Sequence, residues 1–333
     1  MVVPAVVTRK SDVPIVFLDS NIFIEMKRAI DGNCHTIYAG QLIELYNLLT
    51  ELMRRKLIIC PVGSQQDEIG VSKKRQGAEE FLLRFTNAEV LTPYEIKQLQ
   101  LDTFYSAYKN SNPNVELSSE KVLREEHSIS GFKIRVVSYS SADVLNEKKE
   151  SKDRTVELVN ELRSSGRASK VFEKQFSIEL TAEQQIINEA LRMTKGTPED
   201  IITSINILAP IYSRIDSLPS SPDFVETFSE YLYGFLPSLY LSNIPYIIIE
   251  SLINAYKMCT DIKLLGSDAQ DIQNASAYLP YVDFFVTDKS LCNTIKALEI
   301  DSLYGAKVYA MKDLTSLLFD LRNLLVENNI DGQ

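Results

Sequence analysis

The sequence predicts an α/β protein: a central parallel sheet flanked by helices in three layers, with its two halves separated in the chain by a mostly helical insertion. Three observations carry this. Short apolar runs alternate with amphipathic helical patterns near the start, the alternation lapses for well over a hundred residues, and it resumes at the end. Apolar strands without polar alternation belong to a sheet covered on both faces.

The first strand is read in "IVFLD" (15–19), followed by a helix from about Asn21 to Ile30. "TIYAGQLIELYNLLTELMRRK" (36–56) places Leu42, Leu45, Leu49 and Leu52 at helical spacing. "LIICPV" (57–62) is a short buried strand, and "SQQDEIGVSKKRQGAEEFLLRF" (64–85) a helix. Residues 91–237 carry amphipathic helical patterns broken by Asn, Ser, Gly and Pro clusters, with "FKIRVVSYSS" (132–141) as a candidate strand. The α/β pattern returns with a helix over much of 239–259, another from near Ser267, strand "DFFVT" (283–287), helix "DKSLCNTIKAL" (288–298), strand "AKVYA" (306–310) and a terminal helix. The expected division is therefore 1–90 with 238–333 as one α/β domain, and 91–237 as a helical lobe.

Composition narrows the chemistry. The 333 residues are 45% hydrophobic and 24% charged, the balance of a folded globular chain. No basic, apolar and small-residue sequence marks the start as a secretory signal, and the most apolar stretch, 235–256, is interrupted by Pro237, Asn243, Pro245 and Glu250. A cytoplasmic protein without a membrane span is expected. Four cysteines lack any paired spacing, and only His35 and His127 are available, so zinc ribbons and histidine-based triads have no support. If the chain is an enzyme, carboxylates carry the chemistry. A net charge of −10 speaks against a wide nucleic-acid-binding face, and the basic clusters at 54–56, 73–75 and 163–170 read first as solvated helix faces.

Acids recur at corresponding places. Asp19 follows the first strand, Glu68 lies in the first turns after "LIICPV", Asp288 follows "DFFVT", and Asp271 sits near the start of the preceding helix. In a parallel sheet the carboxyl ends of strands share one edge, so such acids are expected to converge. Each also has a structural explanation. Asp19 and Asp288 suit helix N-caps, "SQQD" (64–67) is a capping-box pattern with Ser64 as cap, and "SDAQ" (267–270) is a second one that makes Asp268 a first-turn acid. Four converging carboxylates would repel one another without a cation, and an all-oxygen set suits Mg²⁺ or Mn²⁺.

"VFLDSNIFI", "CPVGSQQDE" and "DIQNASAYLPYVDFFVTDKSL", in that order, resemble the three motifs of PIN-domain nucleases over roughly 15–85 and 240–325. The resemblance implies a PIN-like fold and metal-dependent phosphodiester hydrolysis, as an endoribonuclease more than a DNase. It implies Asp19, Glu68, Asp271 and Asp288 as catalytic metal ligands, with Asp268 as the alternate to Asp271, and Asn21 and Thr287 orienting ligands by hydrogen bonds. One or two Mg²⁺ or Mn²⁺ ions would hold the scissile phosphate, help deprotonate a water and stabilise the departing 3′ oxygen. The partners it implies are RNA and, in addition, a regulatory or inhibitory protein. Two alternatives stand beside it: a catalytically inactive PIN-like module that binds RNA or protein, and another metal-dependent phosphoryl hydrolase. A phosphatase of the haloacid dehalogenase type also begins with an aspartate after a strand, but needs a second aspartate where Asn21 stands.

Overall fold

The computed structural model describes residues 3–66, 69, 77–124, 127–129, 132–134, 150, 154, 157, 160–161, 163–165, 169–215, 228–260 and 267–330. Its chain begins with β1 (Ala5–Arg9), an element the sequence patterns did not flag, and β2 (Val16–Leu18). Helices α1 (Ser20–Ile30) and α2 (Ala39–Arg54) follow, then β3 (Pro61–Val62), α3 (Ala78–Phe85) and β4 (Ala88–Glu89). The helix expected over 64–85 is thus not continuous. Gly77, at φ 69°, caps α3 in the left-handed region that favours glycine, and starts the helix anew.

The middle of the chain holds α4 (Pro93–Lys109), β5 (Asn114–Ser118), the hairpin β6 (His127–Ile129) and β7 (Phe132–Ile134), then α5 (Phe172–Leu180), α6 (Ala182–Met193) and α7 (Pro198–Ile215). Residues 135–141 of the candidate strand lie outside the described set. The last part contains α8 (Pro245–Cys259), α9 (Asp268–Tyr278), β8 (Phe284–Thr287), α10 (Lys289–Ala297), α11 (Ile300–Tyr304), β9 (Lys307–Ala310) and α12 (Leu314–Ile330).

The architecture is mixed α/β, with parallel sheets flanked by helices and a long helical stretch between strand elements. Strands β2, β8 and β9 form a parallel sheet in that order, with Leu18 opposite Val286 and Val286 opposite Tyr309. The parallel pair β3–β4 joins it through the parallel bridge Ile15–Ile59, where Val16 N–H donates to the Ile59 carbonyl at 2.8 Å. Successive strand residues face opposite sides. Val16, Leu18, Phe284 and Val286 therefore pack into one core with the buried stripes of α1, α2 and α12, including Leu42, Leu45, Leu49 and Leu52. Phe17 turns the other way, stacking on Tyr278 at 4.4 Å between ring centroids and on Phe285 at 5.3 Å. Helices thus cover both faces, which is why β2 and β8 are buried at every residue.

Two compact units emerge. One comprises Thr8–Ile96, Ser118–Leu162 and Lys263–Gln333 and holds the β2-β8-β9 and β3–β4 strands; the other comprises Met1–Val7, Lys97–Leu117 and Arg163–Ile262 and holds α5 to α8. This differs from the division expected from sequence: α8 groups with the helices, because it packs against α5, and 118–162 group with the sheet. Within the helical unit, Tyr105, Tyr108, Tyr231 and Phe235 form an aromatic cluster around a π-helical turn, Tyr231–Phe235. There Lys97 Nζ is 2.7 Å from Glu183, and burial pushes the Glu250 carboxyl up, with Lys97 opposing and Glu183 and Glu179 adding to the rise. No described helix is long and apolar enough to cross a membrane.

Candidate functional site

Strand β2 has β3 on one side and β8 on the other. The chain leaves β2 toward β3 and returns much later to β8, so the direction of winding reverses here. In open parallel sheets the crevice at such a reversal, beyond the strand carboxyl ends, is where ligands are held. Asp19 stands there, directly after Leu18, with its N–H donating to the Val286 carbonyl at 2.8 Å.

Asp19 occupies the N-cap position of α1 in an extended conformation, yet its side chain makes no cap hydrogen bond. It is 3% exposed. Ser20 Oγ donates to its Oδ1 at 3.1 Å, and Thr287 Oγ1 lies 3.5 Å from its Oδ2, long for a hydroxyl–carboxylate bond. The carboxylate is therefore turned away from the helix it was positioned to cap and toward the neighbouring strand.

Asp288 does the opposite. As N-cap of α10 it accepts from the N–H groups of Ser290 at 2.5 Å and Leu291 at 3.2 Å, the structural role that sequence left open. Its carboxyl lies on the same sheet edge as Asp19, one residue beyond Thr287. Asp283 is at the other end of β8, where its Oδ2 accepts from Ile15 N–H at 2.9 Å and Lys10 Nζ is 3.6 Å away. Burial draws the Lys10 ammonium below its ordinary value, with Asp283 opposing.

A third corner follows β3. Gly63 has no room for a side chain, since a Cβ there would lie 2.7 Å from Tyr278 Oη and 2.8 Å from Val90 Cγ1. Its N–H donates to Gln65 Oε1 at 2.6 Å, and Gln65 Nε2 donates to the Leu18 carbonyl at 3.0 Å. Gln65 is fully buried and ties this corner to the residue before Asp19. Ser64 donates from Oγ to Asn274 Oδ1 at 2.6 Å, which also accepts from Gln270 Nε2 at 3.2 Å; Asp67, the far end of its capping-box pattern, lies outside the described residues. Ser267 makes no side-chain cap bond to α9, and that capping expectation is corrected: Ser267 has helical dihedrals.

Asp271 lies one turn before Asn274 on α9 and is 9% exposed, whereas Asp268 is only partly buried. Asn21 is exposed in the first turn of α1, and its orienting role has no contact to support it. Glu68 and Asp67 lie outside the described residues. Among the described residues, no group of three His, Cys, Asp or Glu side chains comes together in a way that could hold a metal ion. The structure thus brings Asp19 to Thr287 and places Asp288 on the same edge, without assembling a described metal cluster.

Sequence patterns missed the supporting side chains: Ser20 beside Asp19, the Gln65 tether and the Ser64–Asn274 bond. Their signal was adjacency, since each is within four residues of a flagged acid, but adjacency does not say which way a side chain turns. Thiol chemistry finds no footing in Cys60, whose pKa burial pushes up to about 12.

No protein-family model, no curated protein and no solved structure matches the chain.

Proposed function

We propose that the chain is a phosphodiester hydrolase of PIN-like fold that cleaves RNA, with Asp19 as its central carboxylate and Glu68, Asp271 and Asp288 completing the set. One observation supports this above the others. Asp19 is buried at the reversal point of the sheet, in N-cap position, and does not cap. The carboxylate turns toward Ser20 and Thr287 at the carboxyl edge of the sheet, and this orientation supports a ligand role in the crevice there.

Carboxylate and hydroxyl oxygens are hard donors that suit Mg²⁺ or Mn²⁺, and such an ion would supply charge stabilisation and an activated water. Asp19 would contribute an oxygen ligand, Ser20 and Thr287 would hold its orientation, and Gln65 would fix the β2 corner against the β3 corner. The described residues by themselves do not complete a metal site, so the proposal depends on Glu68.

A second reading stands beside this one. On the same fold, Asp19 and its neighbours could instead serve a non-catalytic PIN-like module that binds RNA or a regulatory protein. A phosphatase-type hydrolase is less well supported, since Asn21 is exposed in the place of the required acid.

The deciding experiment is a cleavage assay on mixed RNA and DNA substrates, with Mg²⁺, with Mn²⁺ and with EDTA. RNA cleavage that needs the metal and is lost in Asp19→Asn is expected. Metal-dependent binding without cleavage selects the inactive module. Cleavage that survives Asp19→Asn removes the proposal.

A further inference from the structure

At the amino edge of the sheet, opposite Asp19, the α/β unit holds a cleft of about 660 Å³. Its position follows from connectivity. The last turns of α1 and α2 and the link between α3 and β4 all lie where parallel strands begin, and each contributes to the lining. The volume is that of a small-ligand pocket.

One wall is aromatic. Tyr46 and Phe85 stack at 5.4 Å and 28°, Phe81 and Phe85 at 5.6 Å and 15°, and Tyr46 and Phe81 stand 5.9 Å apart at 32°. The three rings pack against one another as offset and tilted stacks, so the wall is apolar and aromatic. Phe85 is buried, while Tyr46 and Phe81 are half-buried and flank the cleft.

The rim is cationic. Lys27, Arg54 and Arg84 line the cleft against a single acid, Glu80, in a chain whose net charge is −10. Among the described residues, Lys27 pairs with Asp31, Arg54 donates to both oxygens of Glu51 at 2.8 and 2.9 Å, and Arg84 pairs with Glu80 at 2.5 Å. The exposed Arg84–Glu80 pair is weakly held, and a phosphate offers a guanidinium the same bidentate geometry as a carboxylate. Gly77 leaves room for the stem of Lys27, since a Cβ there would lie 3.0 Å from Lys27 Cε.

An aromatic wall with three cations in the same lining suits a planar ring carrying a phosphate. We propose that this cleft binds a nucleotide, with its base on Tyr46 and Phe81 and its phosphate on Arg54, Arg84 and Lys27. The nucleotide is either a free nucleoside phosphate or one unit of a single strand. The site is independent of hydrolysis at the other edge.

The test titrates the full-length chain, in EDTA, with adenosine 5′-monophosphate by calorimetry and with a short labelled single-stranded oligoadenylate by fluorescence anisotropy. Saturable binding of at least one probe is expected. The double variant Arg54→Gln/Arg84→Gln and the single variant Phe81→Leu should each weaken it about tenfold or more, while Glu250→Gln leaves it unchanged. Binding of the monophosphate alone assigns a free nucleoside phosphate, and tighter binding of the oligoadenylate assigns a strand. No saturable binding of either probe, or binding that both cleft variants retain, overturns the proposal. Where a cleft variant fails to fold by circular dichroism, photolabelling of the wild type with 8-azidoadenosine monophosphate decides: label on Tyr46 or Phe81 supports the site, and label only elsewhere refutes it.

Discussion

Two corners of the sheet share a pattern and differ in use. After β2 and after β8 an apolar strand ends, an aspartate takes an N-cap position with extended backbone, and a helix begins; φ and ψ are −64° and 153° at Asp19, and −67° and 165° at Asp288. Only Asp288 bonds the helix. Backbone geometry is therefore not what separates them. Side-chain orientation is: Asp19 is drawn toward Ser20 and Thr287, while Asp288, past the end of the same neighbouring strand, has the α10 N–H groups within reach. A strand-end aspartate thus becomes a cap by default, and a neighbouring strand can redirect it.

The largest effect that would break this comparison is functional. Under the proposed hydrolysis, Asp19→Asn should lower metal-dependent RNA cleavage by at least about a hundredfold, since a lost ligand costs more than a lost supporting contact. Folding should be unharmed, because no cap bond is lost and a buried charge is removed. A melting temperature without metal that is unchanged or raised, and a smaller Mg²⁺-induced rise than in the wild type, are the expected readings. A fall in melting temperature as large as that of a lost cap would make Asp19 structural after all.

The next effect concerns what holds the Asp19 corner. Gln65→Ala removes the bonds to Gly63 N–H and the Leu18 carbonyl and leaves both groups without that partner, which costs about 2–3 kcal/mol in total. Urea unfolding should report it. A loss below about 0.5 kcal/mol would show that Gln65 is no tether.

These residues mark where legibility ended. The order of strands and helices in the α/β unit, the leucine stripe of α2 and the common edge of Asp19 and Asp288 follow from apolar periodicity and from the rule that parallel strands end together. Whether an aspartate caps its helix does not, because the choice depends on Thr287, which is 268 residues away in sequence. Ser64 teaches a related lesson: its hydroxyl donates to Asn274, a partner on a distant helix that no local pattern names. β1 escaped notice because its exposure alternates without an apolar run long enough to read. The break at Gly77 was missed because the helical period on either side appeared continuous.

A smaller effect tests the other corner. Asp288→Ala removes a cap that accepts two N–H bonds and should cost about 1 kcal/mol, whereas Asp288→Asn should cost almost nothing, since asparagine caps about as well. Thermal melting would show a fall of about 2 °C for the alanine variant alone. Equal falls for both variants would mean that the charge, and not the cap, is what α10 needs.

The smallest effect comes from a carboxylate in the other unit and serves as the reference for Asp19. Glu250 lies on α8, and its pKa is raised by burial first, then by Glu183 and Glu179, against the pull of Lys97. A carboxyl whose folded pKa exceeds its unfolded value binds more protons in the native state. Its stabilising effect is therefore complete below the ordinary glutamate range and is lost as pH rises through the raised folded value. Glu250→Gln fixes the neutral form, so it should raise the melting temperature at neutral pH by about 1–2 °C and flatten the decline of stability with pH above the ordinary glutamate range. Both Asp19→Asn and Glu250→Gln take a charge out of a buried position at nearly constant shape, and both should leave folding intact or improved. Cleavage separates them: Glu250→Gln should keep it, and Asp19→Asn should not. If both variants cleave RNA alike, Asp19 is one more buried acid, and the contrast between the two corners of the sheet is a matter of packing alone.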